Sequence, residues 1–212
     1  MSLERDADRD PGRPRLVLAT ANQHKLVELT RILEAGRVEV ELAGLSEFPG
    51  APDVAETGAT FDENALLKAR AIAEFTGLPA VADDSGLCVD ALNGMPGVLS
   101  ARWSGRHGAD EANLRLLLAQ LTDVPDERRG AQFVCAAALV LPGGREHVSE
   151  GVMRGRLIRE PRGQNGFGYD PIFIPESADI TTAEMEPADK DRISHRGKAL
   201  RGLAPVIAAF LG

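Results

Sequence analysis

The chain is short of basic charge, cysteine, aromatic residues and long apolar runs, and each shortage narrows what it can be. Lys and Arg number 24 against 32 Asp and Glu, for a net charge of −8. A nucleic-acid groove wants a basic footprint, so no nucleic acid polymer is expected as a partner. Only two cysteines occur, Cys88 and Cys135, each inside an apolar strand-like run. A disulfide framework or zinc site needs more ligands at tighter spacing, so both read as reduced core residues of a cytoplasmic protein. No apolar run reaches the ~18 residues that a membrane helix needs, so no membrane partner is expected either. Residues 1–14 contain no apolar stretch of the kind a secretory signal carries. Aromatic residues make up only 4% of the chain, which makes the placement of each one informative.

What is present fits an ordinary soluble globule of 212 residues, 43% hydrophobic and 26% charged. That length suits one well-buried domain, or one domain with two lobes. The polar, turn-rich residues 1–14 read as a disordered leader and residues 15–212 as the domain.

Along the domain, Arg15 to Ala19 reads as a strand feeding a helix that carries Leu26, Leu29, Ile32 and Leu33. Val38 to Leu42 reads as a second strand. Thr60-Phe61-Asp62-Glu63 has the form of a capping box, so a helix should start there and run toward Gly77. Leu78 to Val81 reads as a buried strand ending at Asp83-Asp84-Ser85-Gly86. Asp110 should cap a helix with a Leu114, Leu117, Leu118, Leu121 stripe. Ala131 to Leu141 should be a central strand, turned by Pro142-Gly143-Gly144 into an antiparallel partner, His147 to Ile158. Pro171 to Ile174 is a further strand, and a helix from Ser194 should kink or restart at Pro205. Strands and helices mix without strict βαβ regularity, so the fold class is α/β with a mixed sheet.

Five places carry chemistry. Adjacent carboxylates at Asp83 and Asp84, delivered to a strand tip, suit a hard cation or a base beside one; backbone capping in a turn is the plain alternative. Thr20 to Lys25 lies at a strand-to-helix junction, where free N–H groups attract phosphate, or serve only as a cap. Asn64 and Lys68 share a helix face and could look into one cleft, with Glu63 as the capping acid. Asn165-Gly166-Phe167-Gly168-Tyr169-Asp170 sets an aromatic ring between glycines, where backbone can approach a planar ligand; a core plug is the alternative. Lys190 and Ser194-His195-Arg196 place cations at a helix start, against its dipole, and an unfavourable local choice hints at function.

Together the segments LATANQHKLVEL, ETGATFDENALLKA, ADDSGLCVDALNGMPGVLSARWSG, NGFGYDPIF and ISHRGKAL resemble, in order and spacing, the inosine triphosphate/xanthosine triphosphate pyrophosphatase family. The resemblance runs from Leu16 to the C-terminus. It implies an elongated, two-lobed fold around a long mixed β-sheet with flanking helices, a homodimer, and Mg²⁺-dependent cleavage of a purine nucleoside triphosphate to monophosphate and pyrophosphate. It implies that Thr20, Ala21, Asn22, Gln23, His24 and Lys25 hold the triphosphate, with Lys68 helping. Glu56 and Asp84 would position Mg²⁺, Asp84 would also be the base that activates water, and Ser85 would contact substrate. Phe167 would stack on the purine within a pocket wall continued by Gly168, Tyr169 and Asp170, and Lys190, His195 and Arg196 would complete base recognition. Two competing readings are the Maf-like pyrophosphatases, which act on pyrimidine or methylated nucleotides, and a sensor that binds triphosphates without turnover.

Overall fold

The computed structural model describes residues 12–20 and 23–211, with nothing described of the side chains of Gln23 and His24. Ala21, Asn22 and most of the expected leader (residues 1–11) therefore lie outside the described residues. Six strands form one sheet in the order β2-β1-β3-β4-β5-β6. They are β1 (Arg15–Leu18), β2 (Glu41–Gly44), β3 (Ala80–Val89), β4 (Gly130–Val140), β5 (Glu146–Leu157) and β6 (Phe173–Pro175). The first three pair in parallel and the rest antiparallel, which makes the sheet mixed, as expected. Among the described residues five helices flank it: α1 (Gln23–Ala35), α2 (Phe61–Thr76), α3 (Asp110–Gln120), α4 (Pro187–Ile193) and α5 (His195–Leu211).

Two expectations about the strands need correction. The Asp83-Asp84-Ser85-Gly86 stretch is not a strand tip followed by a turn. It is the middle of ten-residue β3, paired without interruption from Ala80↔Val140 to Val89↔Ala131. The partner strand β4 is long and apolar, and it carries the acids along with it. What ends early is β1, which pairs with β3 only at Val17↔Ala80 and Leu18↔Val81. Beyond Val81 no strand continues on that side of β3 among the described residues, so the acids still face an opening, created by the neighbour's end. The second strand also shifts, to Glu41–Gly44. The Val38 amide closes on the Leu33 carbonyl of α1 (2.9 Å), and Val38 joins the core cluster under that helix instead of a ladder.

Side chains alternate across β3, and the core follows that alternation. Odd positions face α1 and α5: Val81, with Cys135, Ala137 and Leu139 of β4, packs on Leu29, Leu33, Leu200 and Leu203. Even positions face α2: Ala80, Ala82, Ala136 and Ala138 meet Ala65, Ala69, Ile72 and Ala73. Small residues on both sides of that second interface let the helix lie close to the sheet. Farther along the odd face, Leu87, Val89 and Phe133 belong to another cluster with Leu114, Leu117 and Phe173. Asp83 and Ser85 stand in the gap between the two odd-face clusters, and there the protein leaves a cleft.

The helix ends read from the sequence mostly hold. The Thr60 hydroxyl accepts from the Glu63 amide (3.2 Å) and α2 stops at left-handed Gly77. Glu63 reaches past the cap to the Ala59 amide (2.6 Å), so the reciprocal arm of the capping box is displaced by one residue. Asp110 is the first residue of α3 and caps nothing. Its carboxylate accepts instead from the Gly168 amide (3.0 Å). The last helix runs unbroken through Pro205, which stands on its exposed side.

Candidate active site

The two neighbouring acids open onto opposite faces of the sheet and meet different cations. On the odd face Asp83 is buried and accepts from Lys25 Nζ with both oxygens (2.9 and 2.8 Å). Arg196 Nε donates to the same carboxylate (3.2 Å). Burial works to raise the Asp83 pKa, but the charges of Lys25 and Arg196 outweigh it and hold the carboxyl well below the usual range. This ion triad explains the basic residues at the start of α5. Their conflict with the helix dipole is offset by a buried carboxylate from β3.

On the even face Asp84 belongs to a second cluster. Lys68 of α2 donates to Glu56 Oε1 (2.9 Å), to Asp84 Oδ1 (3.3 Å) and to the Asp83 carbonyl (2.7 Å). One ammonium therefore stands between the two carboxylates. Asn64 Nδ2 donates to Asp84 Oδ2 (3.1 Å). Arg102 contacts Glu56 twice, at the side chain (3.3 Å) and the carbonyl (3.2 Å). Burial pushes the Asp84 carboxyl up against the pull of Lys68. Burial also works to raise Glu56, but there Lys68 and Arg102 prevail and lower it.

A cleft of about 710 Å³ opens on the odd face, lined among others by Lys25, Ser85, Phe133, Lys190, His195 and Arg196. Phe167 to Asp170 form part of its wall. Phe167 is 62% exposed, so its ring is free to meet a ligand and is no core plug. Lys190 Nζ lies 5.3 Å from the centre of that ring. Tyr169 and Asp170 are buried holders of the same loop. The Tyr169 hydroxyl donates to the Ser100 carbonyl (2.9 Å). Asp170 accepts from Lys190, from the Phe167 amide and from the Thr182 hydroxyl. Gly166 is required here: its φ is +77°, and a Cβ would fall 2.1 Å from Asp170 Oδ2. His195 stacks on Phe133 with ring centres 4.9 Å apart. Burial, with Arg196 and Lys190 nearby, lowers its pKa to about 3, so the imidazole is neutral.

The structure thus gathers Ser85, Phe167, Gly168, Tyr169, Asp170, Lys190, His195 and Arg196 around one cleft, with Lys25 at its edge. Glu56, Lys68 and Asp84 gather separately, across β3. The Asp83 carbonyl, held by Lys68, and the Asp83 carboxylate, held by Lys25, join the two groups through one residue. Half-buried Thr20 stands two residues past the end of β1, ahead of α1. Ala21 and Asn22 lie outside the described residues, as do the side chains of Gln23 and His24. Sequence reasoning missed Asp83 as an ion-pair hub, because adjacent acids read as one pair. It missed Arg102 entirely: a lone arginine in a glycine-rich loop carries no signal.

A profile of the Ham1 family matches residues 16–206. A protein of Streptomyces coelicolor named dITP/XTP pyrophosphatase is 60% identical, covering 93% of this chain and 99% of its own. Among solved structures, a nucleoside-triphosphatase / dITP/XTP pyrophosphatase from Mycobacterium abscessus is 59% identical with a TM-score of 0.78, covering 91% of this chain and 99% of that one. A HAM1 protein from Coxiella burnetii is 44% identical with a TM-score of 0.86, covering 92% and 99%.

Proposed function

The chain belongs to the Ham1 family, and from that premise we propose that it hydrolyses the non-standard purine triphosphates dITP, ITP and XTP to monophosphate and pyrophosphate, clearing deaminated purines from the nucleotide pool. The observation that carries this reading is the pairing of a carboxylate cluster on one face of β3 with a cleft of about 710 Å³ on the other, roomy enough for a purine and more. The family sequences beside it bear the activity in their names.

The donors at the carboxylate cluster suit Mg²⁺. Glu56 and Asp84 converge on one cation, the Lys68 ammonium. Among the described residues no group of three His, Cys, Asp or Glu side chains forms a closed cage. Two carboxylates without further protein ligands match an ion that keeps waters and takes its other ligands from substrate phosphates. When bound, Mg²⁺ supplies charge neutralisation on the phosphate oxygens. Glu56 and Asp84 would hold it, while Lys25 and Lys68 add positive charge for the triphosphate. Asn64 occupies Asp84 Oδ2. That leaves Oδ1, held by the longer contact to Lys68, to take a proton from the attacking water.

In the cleft, Phe167 stacks on the purine, Ser85 contacts the substrate, and Lys190, which also holds Asp170 of the Phe167 loop, helps recognise the base. Discrimination rests on Arg196, whose guanidinium donates in every state and never accepts. It therefore suits the keto oxygen at purine C6 and opposes an amino group there. Neutral His195 supplies a second donor through one ring nitrogen. We place the protein in the cytoplasm as a homodimer; among the described residues no helix is long and apolar enough to cross a membrane.

The deciding assay separates pyrophosphate from orthophosphate released from inosine, xanthosine, guanosine, adenosine and thymidine triphosphates with Mg²⁺. Pyrophosphate from the first two, and little from the rest, is the expected result. Turnover of thymidine triphosphate, or binding without turnover, would overturn the reading.

A further inference from the structure

Asn64 sits in the first turn of α2 with no exposed surface at all. Its side-chain amide makes two contacts to two different pieces of the site. The Oδ1 atom accepts from the Gly58 amide (2.7 Å), and Nδ2 donates to Asp84 Oδ2 (3.1 Å). The assignment of oxygen and nitrogen is unambiguous on chemical grounds. A backbone amide only donates and an ionised carboxylate only accepts, so the flipped amide would face a donor with a donor and an acceptor with an acceptor. Gly58 is two residues from Glu56 and is pressed onto the same helix turn. A Cβ at Gly58 would lie 2.6 Å from Glu63 Cβ and 2.8 Å from Asn64 Oδ1.

We infer that Asn64 is a positioning residue for the reaction: through one amide it sets the Asp84 carboxylate in register with the loop that carries Glu56. This rests on the pyrophosphatase reading and deepens it. A side chain that merely filled space or capped the helix would need one of these contacts, or neither. The helix cap is already supplied by Thr60. Asn64 also fixes which oxygen of Asp84 is left for chemistry, since it occupies Oδ2 and leaves Oδ1 toward Lys68. Groups that orient metal-binding side chains are commonly worth about 10- to 100-fold in activity or metal affinity.

The two contacts are separable by substitution. Asn64→Asp keeps an acceptor for Gly58 and loses the donor to Asp84. Asn64→Ala loses both, and Gly58→Ala forces the loop and the first turn of α2 apart, which disturbs the Gly58–Asn64 contact while leaving the Asn64 side chain in place. With wild-type protein turning over inosine triphosphate in parallel, Asn64→Asp is expected to lower kcat about 10- to 100-fold, with KM for the nucleotide changed less than about threefold. The second readout is Mn²⁺ binding without nucleotide, followed by paramagnetic resonance. Half-saturation should rise about tenfold in Asn64→Ala and in Gly58→Ala. Should Asn64→Ala fail to fold, Gly58→Ala and Asn64→Ser carry the metal measurement. A kcat within twofold of wild type in Asn64→Asp overturns the inference. So does a kcat loss matched by an equal rise in KM with unchanged Mn²⁺ binding in the other variants. Absence of pyrophosphate release by the wild type would instead sink the activity on which the inference rests.

Discussion

Asp83 and Asp84 occupy consecutive positions on β3, yet alternation gives them separate tasks, and substitution should separate them. Asp84→Asn keeps the side chain's shape and its proximity to Lys68 but removes the carboxylate proposed as proton acceptor. Turnover should fall by about 10²–10⁴-fold, the usual worth of general base catalysis, while the melting curve stays close to wild type. Asp83→Asn does the opposite kind of damage. It leaves Lys25 and Arg196 beside a buried amide that cannot balance them. Removing one partner of a buried ion pair costs about 3–5 kcal/mol, so the loss should be read in urea unfolding before any change in kinetics. Equal stability in the two variants would mean that the strand does not partition its acids in this way. The sequence made both acids visible, through their place at the end of an apolar run. It did not reveal that they point apart, because a strand tip and a strand middle differ only in where the neighbouring strand stops.

At the scale of elements, helices were more legible than strands. The α2 helix announced itself at both ends, through Thr60 and Gly77, because its caps are local chemistry. Strand β2 was displaced, because Val38 satisfies its backbone and its side chain at the end of α1. Helix α4 went unseen: seven residues, mostly polar, show no periodic stripe, and Pro187 in its first turn was the only cue. The contacts of Arg102 with Glu56 span 46 positions and follow from tertiary placement alone. The cap of α2 matters to the site because the first three turns of this helix carry both Asn64 and Lys68. Thr60→Ala should cost about 1 kcal/mol. In a protein of this size that corresponds to a drop of roughly 2–4 °C in melting temperature. The same variant should retain most turnover, since residues 61–76 remain packed on β3 through the alanine interface. A cost near zero would place the start of the helix elsewhere.

Across the whole molecule, buried titratable groups set how stability responds to acid. His195 is neutral in the fold, with a pKa of about 3 against an ordinary value of 6.5. Between those values the unfolded chain binds a proton that the folded chain refuses. Stability due to this group is therefore complete above about pH 6.5 and is lost as pH falls toward 3. Asp83 acts at lower pH in the same direction. Its carboxyl is held below the usual range by Lys25 and Arg196, against its burial, so its contribution is present above about pH 4 and disappears beneath it. Asp84 and Glu28, both raised by burial, work the other way, because acid relieves the strain of keeping them ionised. Between pH 6.5 and about 4.5 His195 loses this stability, while Glu28, raised above its ordinary carboxylate range, works against it at the acid end of that window. His195→Gln keeps a polar side chain against Phe133 and removes the titration. Its unfolding free energy, measured by urea melts at half-unit intervals of pH without nucleotide, should be flatter across that window than that of the wild type. A variant whose stability falls as steeply as the wild type's between pH 6.5 and 4.5 would show that the imidazole reaches water in the folded state. The odd-face cleft would then be wetter around His195 than its packing against Phe133 implies.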